Sequence, residues 1–139
     1  MQSSARTPLR VTPLPRPGRR VHERRKQRSK RAADALELAL SGAVERAALD
    51  VVLIADDCGM LVSNSHTELD LEMLAAVTPI VARGRAKASI KRNGEQRELG
   101  VKTIRVLDET LHIAALGGDS SGRALGLMHA VAAARRILS

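Results

Sequence analysis

The chain has 139 residues, enough for one modest domain, and no run approaches the roughly 20 apolar residues that a membrane-spanning helix needs. Its one cysteine, Cys58, excludes an intramolecular disulfide and a zinc site made of several thiolates. Phe, Tyr and Trp are absent, so aliphatic side chains must build the core, which favours self-association. The N-terminus lacks the apolar core of a signal peptide, which predicts a cytoplasmic protein.

Charge is distributed unevenly along the chain. Residues 1–31 hold eleven Lys or Arg and one acid, whereas residues 32–139 hold twelve bases and fourteen acids. Proline and arginine are frequent near the start, which predicts a disordered basic tail over 1–31 that runs into the first helix, followed by a domain over 32–139. The tail could bind nucleic acid, an anionic surface or an acidic partner, or it could be only solvated. Its candidate contacts are Arg19, Arg20, Arg24, Arg25, Lys26, Arg28, Lys30 and Arg31.

The first elements of the domain follow from its apolar spacing. Leu36, Leu40 and Val44 recur at helical intervals, which predicts a helix from about 22 to 48. Two apolar runs, at 51–55 and 60–65, flank an Asp- and Gly-containing turn and predict a β-hairpin. We expect Thr67 to cap the next helix, which should stop at Gly84, and Pro79 to bend or divide it.

The second half of the domain predicts further strands and a final helix. Asn93-Gly94 marks a hairpin between two weak strands, and "VKTIRVLDETLHIAALGG" contains two stronger strands joined near Asp108. Ser120 or Ser121 is expected to cap the last helix. The order α-β-β-α-β-β-β-α predicts an α+β fold with a mostly antiparallel, five-stranded sheet flanked by helices.

The stretch "GDSSG" matches the G-x-S-x-G pattern of a serine hydrolase nucleophile, centred on Ser120. A nucleophilic serine needs a base within hydrogen-bonding reach and usually an acid that orients the base. No Asp or Glu follows Gly122, and His129 lies about two turns along the helix that begins at the serine. We therefore interpret the motif as a helix start and predict that the protein is not an enzyme.

Other polar residues give no stronger chemical signal. Asp56, Asp57, Cys58 and His66 match no metal-binding spacing, so we predict a tight turn in which Asp side chains bond their own backbone. His112 is expected to be a surface or half-buried residue. The sequence predicts neither a metal nor a cofactor.

Three stretches carry a family resemblance. "VVLIADDCGMLVSNS" resembles the first hairpin of roadblock/dynein light chain domains, and "LEMLAAVTPIVARG" resembles their central helix. "VKTIRVLDETLHIAALGGDSSGRALGLMHAVAAARRIL" resembles their last two strands and C-terminal helix. The resemblance implies the roadblock/profilin-like fold and a non-catalytic dimer that joins edge strands and central helices.

The resemblance also implies a function. Roadblock-type domains act as scaffolds or regulators of small Ras-like GTPases, of dynein, or of polarity and motility switches. Residues on the segment that matches the central helix become candidates for a dimer or partner interface, namely Leu71, Leu74, Val77 and Ile80. Two alternatives stay open: a nucleic-acid or anionic-surface binder acting through the tail, and a GAF-like sensor of a small ligand.

Overall fold

The computed structural model describes residues 17–84 and 89–139, with side chains from residue 30 onward. The chain divides into two units, Met1–Arg31 and Ala32–Ser139. Helix α1 spans Pro17–Ala47 and so begins earlier than the expected residue 22. The tail predicted over 1–31 is thus helical from Pro17, while residues 1–16 lie outside the described part of the chain.

The second unit contains one five-stranded sheet. Its strands are β1 (Val51–Asp56), β2 (Leu61–Asn64), β3 (Ser89–Arg92), β4 (Glu95–Val106) and β5 (Glu109–Leu116), and the remaining helices are α2 (Glu72–Ala82) and α3 (Ser120–Leu138). The strands lie in the order β2-β1-β5-β4-β3, and each neighbouring pair is antiparallel. This architecture confirms the predicted α+β fold with an antiparallel five-stranded sheet.

Strand β4 joins two segments that the sequence predicted as separate strands. It runs unbroken for 12 residues and pairs with β3 at its start and with β5 from Leu99 to Val106. At Gly100, in the middle of β4, the strand lies close to α3, because a Cβ on this residue would lie 3.3 Å from Leu127 Cδ1. The turn into β5 holds Leu107 and Asp108 at φ of 51° and 66°, the left-handed backbone of a tight hairpin.

Helices cover both faces of the sheet because its strands carry apolar side chains on each side. On one face, Leu36 and Leu40 of α1 and Leu127 and Ala130 of α3 belong to the cluster that contains Val52, Ile54, Ile104 and Ile113. On the other face, Leu71 and Leu74 at the start of α2 belong to the cluster of Val51, Leu53, Ala114 and Leu116. Alternate residues of β1 and β5 therefore enter different cores.

The start of α2 differs from the prediction. Thr67 does not cap the helix, which begins at Glu72; instead the Thr67 hydroxyl accepts a hydrogen bond from Leu69 N at 3.1 Å. Asp70 Oδ1 accepts from Glu72 N at 3.1 Å. The short polar side chains thus form local turns before the helix, the usual alternative use of such residues.

Pro79 does not divide α2. The helix continues to Ala82, and Arg83 N donates to Pro79 O at 3.1 Å. Proline removes only one backbone donor, and its position in the last turns leaves few bonds beyond it to disturb.

Helix α3 is capped by Asp119 and not by either serine. Asp119 has extended backbone angles, and its Oδ1 accepts from Gly122 N at 2.7 Å. Of the helices within the described residues, none is both long and apolar enough to cross a membrane.

Candidate functional site

Helix α2 is apolar on two opposite sides, but only one side is buried. Leu71 and Leu74 are 6 % and 4 % exposed and pack into the core of their own chain. The opposite side is formed by Met73, Ala76, Val77 and Ile80, and we call these four residues the α2 outer face; Met73 is 65 % and Ile80 43 % exposed. The predicted interface residues are therefore split, since Val77 and Ile80 lie on the outer face whereas Leu71 and Leu74 stabilise the monomer.

The split follows from the period of the helix. The pattern places residues three and four apart on one side, so 71, 74, 75 and 78 share the buried side and 73, 76, 77 and 80 share the outer one. The apolar pattern of this segment by itself predicts a single interface. Only the position of the sheet decides which of the two sides is covered.

Exposed apolar side chains continue from this region onto the edge strand β2 and the turn before it. Met60, Leu61 and Val62 are 66 %, 42 % and 43 % exposed. A groove of about 510 Å³ lies where β2 meets the start of α2, and Asp70 and Glu72 are its acidic lining residues. This part of the surface thus combines apolar contacts with carboxylates.

The turn between β1 and β2 packs closely on α2. Gly59 has a φ of 86°, and a Cβ placed on it would lie 3.0 Å from Ala76 Cα. The turn itself is closed by Asp56, whose Oδ1 accepts from Cys58 N at 2.9 Å and from Met60 N at 3.0 Å. These bonds confirm the predicted turn in which an Asp side chain bonds its own backbone.

Asp57 turns instead toward the sheet and joins a chain of hydrogen bonds. Its Oδ1 lies 2.8 Å from His112 Nε2 and 2.9 Å from Arg83 Nη2, at the end of α2. His112 Nδ1 lies 2.8 Å from Thr103 Oγ1 on the neighbouring strand. The hydrogen bond from His112 is the main cause that holds the pKa of Asp57 below its ordinary value, and the Arg83 charge adds to it.

This chain of bonds was not expected from the sequence. His112 is 3 % exposed and therefore buried, where a surface or half-buried position was expected. Asp57 is 55 residues away from it along the chain, so no local spacing relates the two. The sequence could have indicated only the contact between Thr103 and His112, because the β4–β5 hairpin places these two residues directly opposite each other. The network connects the end of α2 with the β1–β2 turn, which holds Asp57, and with strands β5 and β4.

The structure supports the interpretation of Ser120 as part of a helix start. Ser120 is the exposed first residue of α3, beside a groove of about 510 Å³. Lys102 and Arg123 are the charged residues of that groove, and the described lining contains no His, Asp or Glu. The described lining therefore offers the hydroxyl no imidazole or carboxylate as a general base.

The remaining sequence candidates are a metal cluster and the basic tail. Within the described part of the chain, no group of three or more His, Cys, Asp or Glu side chains is arranged to hold a metal ion. In the basic tail, Lys30 and Arg31 are exposed. The remaining tail candidates have side chains outside the described set, namely Arg19, Arg20, Arg24, Arg25, Lys26 and Arg28.

Comparison with known proteins places this geometry in a known fold. No family model matches the chain, and no curated protein matches it. Among solved structures, MglB from Myxococcus xanthus is 14 % identical with a TM-score of 0.50, over 75 % of this chain and 87 % of that chain. The gliding protein MglB from Thermus thermophilus is 12 % identical with a TM-score of 0.54, over 77 % and 90 %.

A third structure, an MglB described with a tetrameric arrangement, is 16 % identical with a TM-score of 0.53, over 80 % of this chain and 90 % of that chain. Sequence identity this low carries no residue roles across, but the shared topology spans most of each chain. The chain therefore has the roadblock-like fold of the MglB structures.

Proposed function

We propose that this protein is a non-catalytic, dimeric regulator that binds a partner protein through its 32–139 domain, and that the partner is a small Ras-like GTPase. The observation that carries the proposal is the α2 outer face. A helix that is apolar on both sides is usually covered on both sides. Here the sheet covers one side, and Met73 and Ile80 remain 65 % and 43 % exposed on the other.

Self-association is supported by the composition of this face. Ala76 and Val77 are short side chains between Met73 and Ile80, so a second helix can approach closely. A two-fold axis would pair the face with itself, the commonest arrangement of soluble dimers. The absence of aromatic residues limits the area that one copy can bury, so a dimer adds apolar burial that the single chain lacks.

The proposal that the partner is a GTPase rests on the fold and on the resemblance to roadblock-type domains. Such domains serve small Ras-like GTPases as regulators or scaffolds, and similar solved structures are of MglB, one described as a gliding protein. The exposed apolar residues around β2 add a surface beside α2 that a second protein could contact.

Light scattering after size exclusion tests the dimer. We expect the wild type to have twice the mass of one chain and Ile80→Glu to shift toward the monomer, because the substitution buries an unpaired carboxylate in the interface. Leu107→Glu is the matched control, since Leu107 is 77 % exposed at the β4–β5 turn. A monomeric wild type, or an Ile80→Glu protein that stays dimeric, would contradict this part of the proposal.

Calorimetric titration tests the partner. The probes are small Ras-like GTPases from the same genome, each loaded with GDP or with a non-hydrolysable GTP analogue. We expect at least one to bind with an affinity that depends on its nucleotide. If none binds in either state, the GTPase assignment fails while the dimer result stands.

The basic tail supports a second candidate function, binding to nucleic acid or another polyanion. The observation that supports this candidate is that residues 1–31 contain eleven Lys or Arg residues and one acid. Binding to duplex DNA should fall steeply with salt, because phosphate contacts release counterions. A chain without residues 1–31 should lose this binding; retained binding would exclude the tail as its cause.

A further inference from the structure

We propose that the groove between α1 and α3 binds an acidic amphipathic helix of a partner protein. The groove has a volume of about 520 Å³, and its lining within the described part of the chain comes from these two helices alone. Both helices pack on the sheet face opposite to α2. The inference thus concerns a separate surface from the α2 outer face and does not depend on the function proposed for that face.

The floor of the groove is made of small residues. Ala39 and Gly42 of α1 lie beside Ala132 and Ala133 of α3, so the two helix backbones are covered by little side-chain volume. Among the described residues, a Cβ on Gly42 would meet only the guanidinium of Arg46, at 3.8 Å. A recessed floor of this kind accepts large apolar side chains from a partner, as ridges enter grooves between packed helices.

The dimensions suit a helix of about three turns. From residue 35 to residue 46 the axis of α1 advances about 17 Å. Leu38 stands at the edge of this stretch with 74 % of its surface exposed, and Ile137 of α3 is half-buried on the other side. A helix with apolar residues at i, i+3 or i+4, and i+7 would cover both side chains and reach the floor.

The charged groups that line the groove are all cationic or basic. They are Arg46, His129 and Arg136, and the described lining contains no carboxylate. Arg46 and Arg136 stand in the last turns of α1 and α3. The start of α3 meets the end of α1, where a Cβ on Gly126 would lie 3.5 Å from Ala47 Cβ. The helices are therefore antiparallel, and the two arginines lie toward opposite ends of the groove.

This positive charge is local. Residues 32–139 contain fourteen acids and twelve bases, so the domain as a whole does not favour anions. The carboxylates of this stretch of α1 are Asp34, Glu37 and Glu45; none of them lines the groove, and Glu37 lies 3.1 Å from His66. Carboxylates near both ends of a bound helix would complement Arg46 and Arg136 and set its direction and register.

Two other occupants fit less well. A second copy of the same groove would bring like charges together, which disfavours association. A membrane surface needs a broad face of protruding apolar side chains, whereas here Leu38 protrudes and the rest of the apolar floor is recessed between two helices. A partner helix with acidic flanks satisfies both the shape and the charge of the groove.

A designed peptide tests the proposal with the full chain. The probe is a fluorescein-labelled helical peptide of about 14 residues, four turns long, with leucines at the spacing above and glutamates on both flanks. The comparison peptide carries lysine in place of every glutamate. We expect the acidic peptide to bind at physiological ionic strength and the lysine peptide not to bind.

Variants locate the binding. Leu38→Glu, and separately the double variant Arg46→Glu with Arg136→Glu, should each weaken binding of the acidic peptide by about tenfold or more, because each places carboxylates against the glutamates of the peptide. Leu107→Glu is the exposed-leucine control and should bind like the wild type. The lysine peptide should bind the double variant better than the wild type.

Circular dichroism establishes that each variant is folded. If Leu38→Glu is not folded, the double variant alone tests the proposal.

Three results would overturn the proposal. Equal affinity of the acidic peptide for the wild type and the groove variants would place its contacts elsewhere, for example on the basic tail. A lower mass of Leu38→Glu in light scattering would assign the groove to a second copy. Binding of phosphatidylserine vesicles that groove variants abolish, without peptide binding, would assign it to a membrane surface.

Discussion

The carboxylate of Asp57 and the imidazole of His112 lie 2.8 Å apart, although 55 residues separate them along the chain. His112 is buried, whereas the side chain of Asp57 is 53 % exposed. A carboxylate only accepts hydrogen bonds, so in the neutral imidazole Nε2 carries the hydrogen and Nδ1 accepts from the Thr103 hydroxyl. One tautomer therefore connects the β1–β2 turn to β5 and β4.

The first prediction concerns the pH dependence of this contact. The pKa of Asp57 is lowered in the folded chain, chiefly by the hydrogen bond from His112. The ionised carboxylate thus stabilises the fold above the ordinary aspartate pKa, and this stabilisation is lost as the pH falls through the lowered value. We expect Asp57→Asn to lower the urea midpoint at pH 7 and the difference from wild type to shrink at low pH.

Asp108→Asn is the control for this series, because Asp108 is exposed on a hairpin turn where asparagine also accepts a positive φ. Urea midpoints of the three proteins between pH 7 and pH 2 give the comparison. A gap between wild type and Asp57→Asn that stays constant over this range would show that the charge of Asp57 contributes nothing.

The second prediction concerns Asp50 and Arg97. Arg97 donates twice to the Asp50 carboxylate, from Nε and Nη2, each at 2.8 Å, and the Asp50 side chain is only 12 % exposed. The planar fork of arginine fits both oxygens, which lysine cannot do. Arg97→Lys should therefore lower the melting temperature although it keeps the charge. Arg92→Lys should change it little, since Arg92 lies 3.7 Å from the same carboxylate; equal effects would contradict this account.

The third prediction separates the two sides of α2. Leu74 is 4 % exposed, so Leu74→Ala should lower the free energy of unfolding by about 2–5 kcal/mol through lost burial and a cavity. Met73 is 65 % exposed, and Met73→Ala should stay within about 0.5 kcal/mol of wild type when the chain is diluted to the monomer. Chemical denaturation measures both. A Met73→Ala loss as large as that of Leu74→Ala would place Met73 in the monomer core.

The fourth prediction uses two glycines with similar backbone angles. Gly59 and Gly94 have φ of 86° and 81°, but a Cβ at Gly59 would lie 3.0 Å from Ala76 Cα, whereas no atom of the described residues lies within 4 Å of a Cβ at Gly94. Gly94→Ala should cost about 1–2 kcal/mol for its left-handed backbone alone. Gly59→Ala should cost more, because α2 must also move. Equal losses in chemical denaturation would show that the contact with α2 is easily relieved.

Local chemistry made much of the fold predictable. Asn93-Gly94 specified a hairpin because both residues tolerate a positive φ, and they have φ of 54° and 81° in the structure. The apolar runs of β1 and β5 indicated buried strands. Predictions that rested on one polar side chain were weaker: Asp119 took the cap expected of Ser120 or Ser121, since any of the three can supply the oxygen.

The sequence by itself determined the order of the elements, the turn that Asp56 closes and the apolar character of α2, because each depends on residues within a few positions of one another. Only the tertiary structure decided which side of α2 is covered, that Asp57 meets His112, and that Ala39 and Ala132 lie in one groove. These relationships join residues far apart in the chain. They are set by how the helices and strands pack, and no local spacing carries that information.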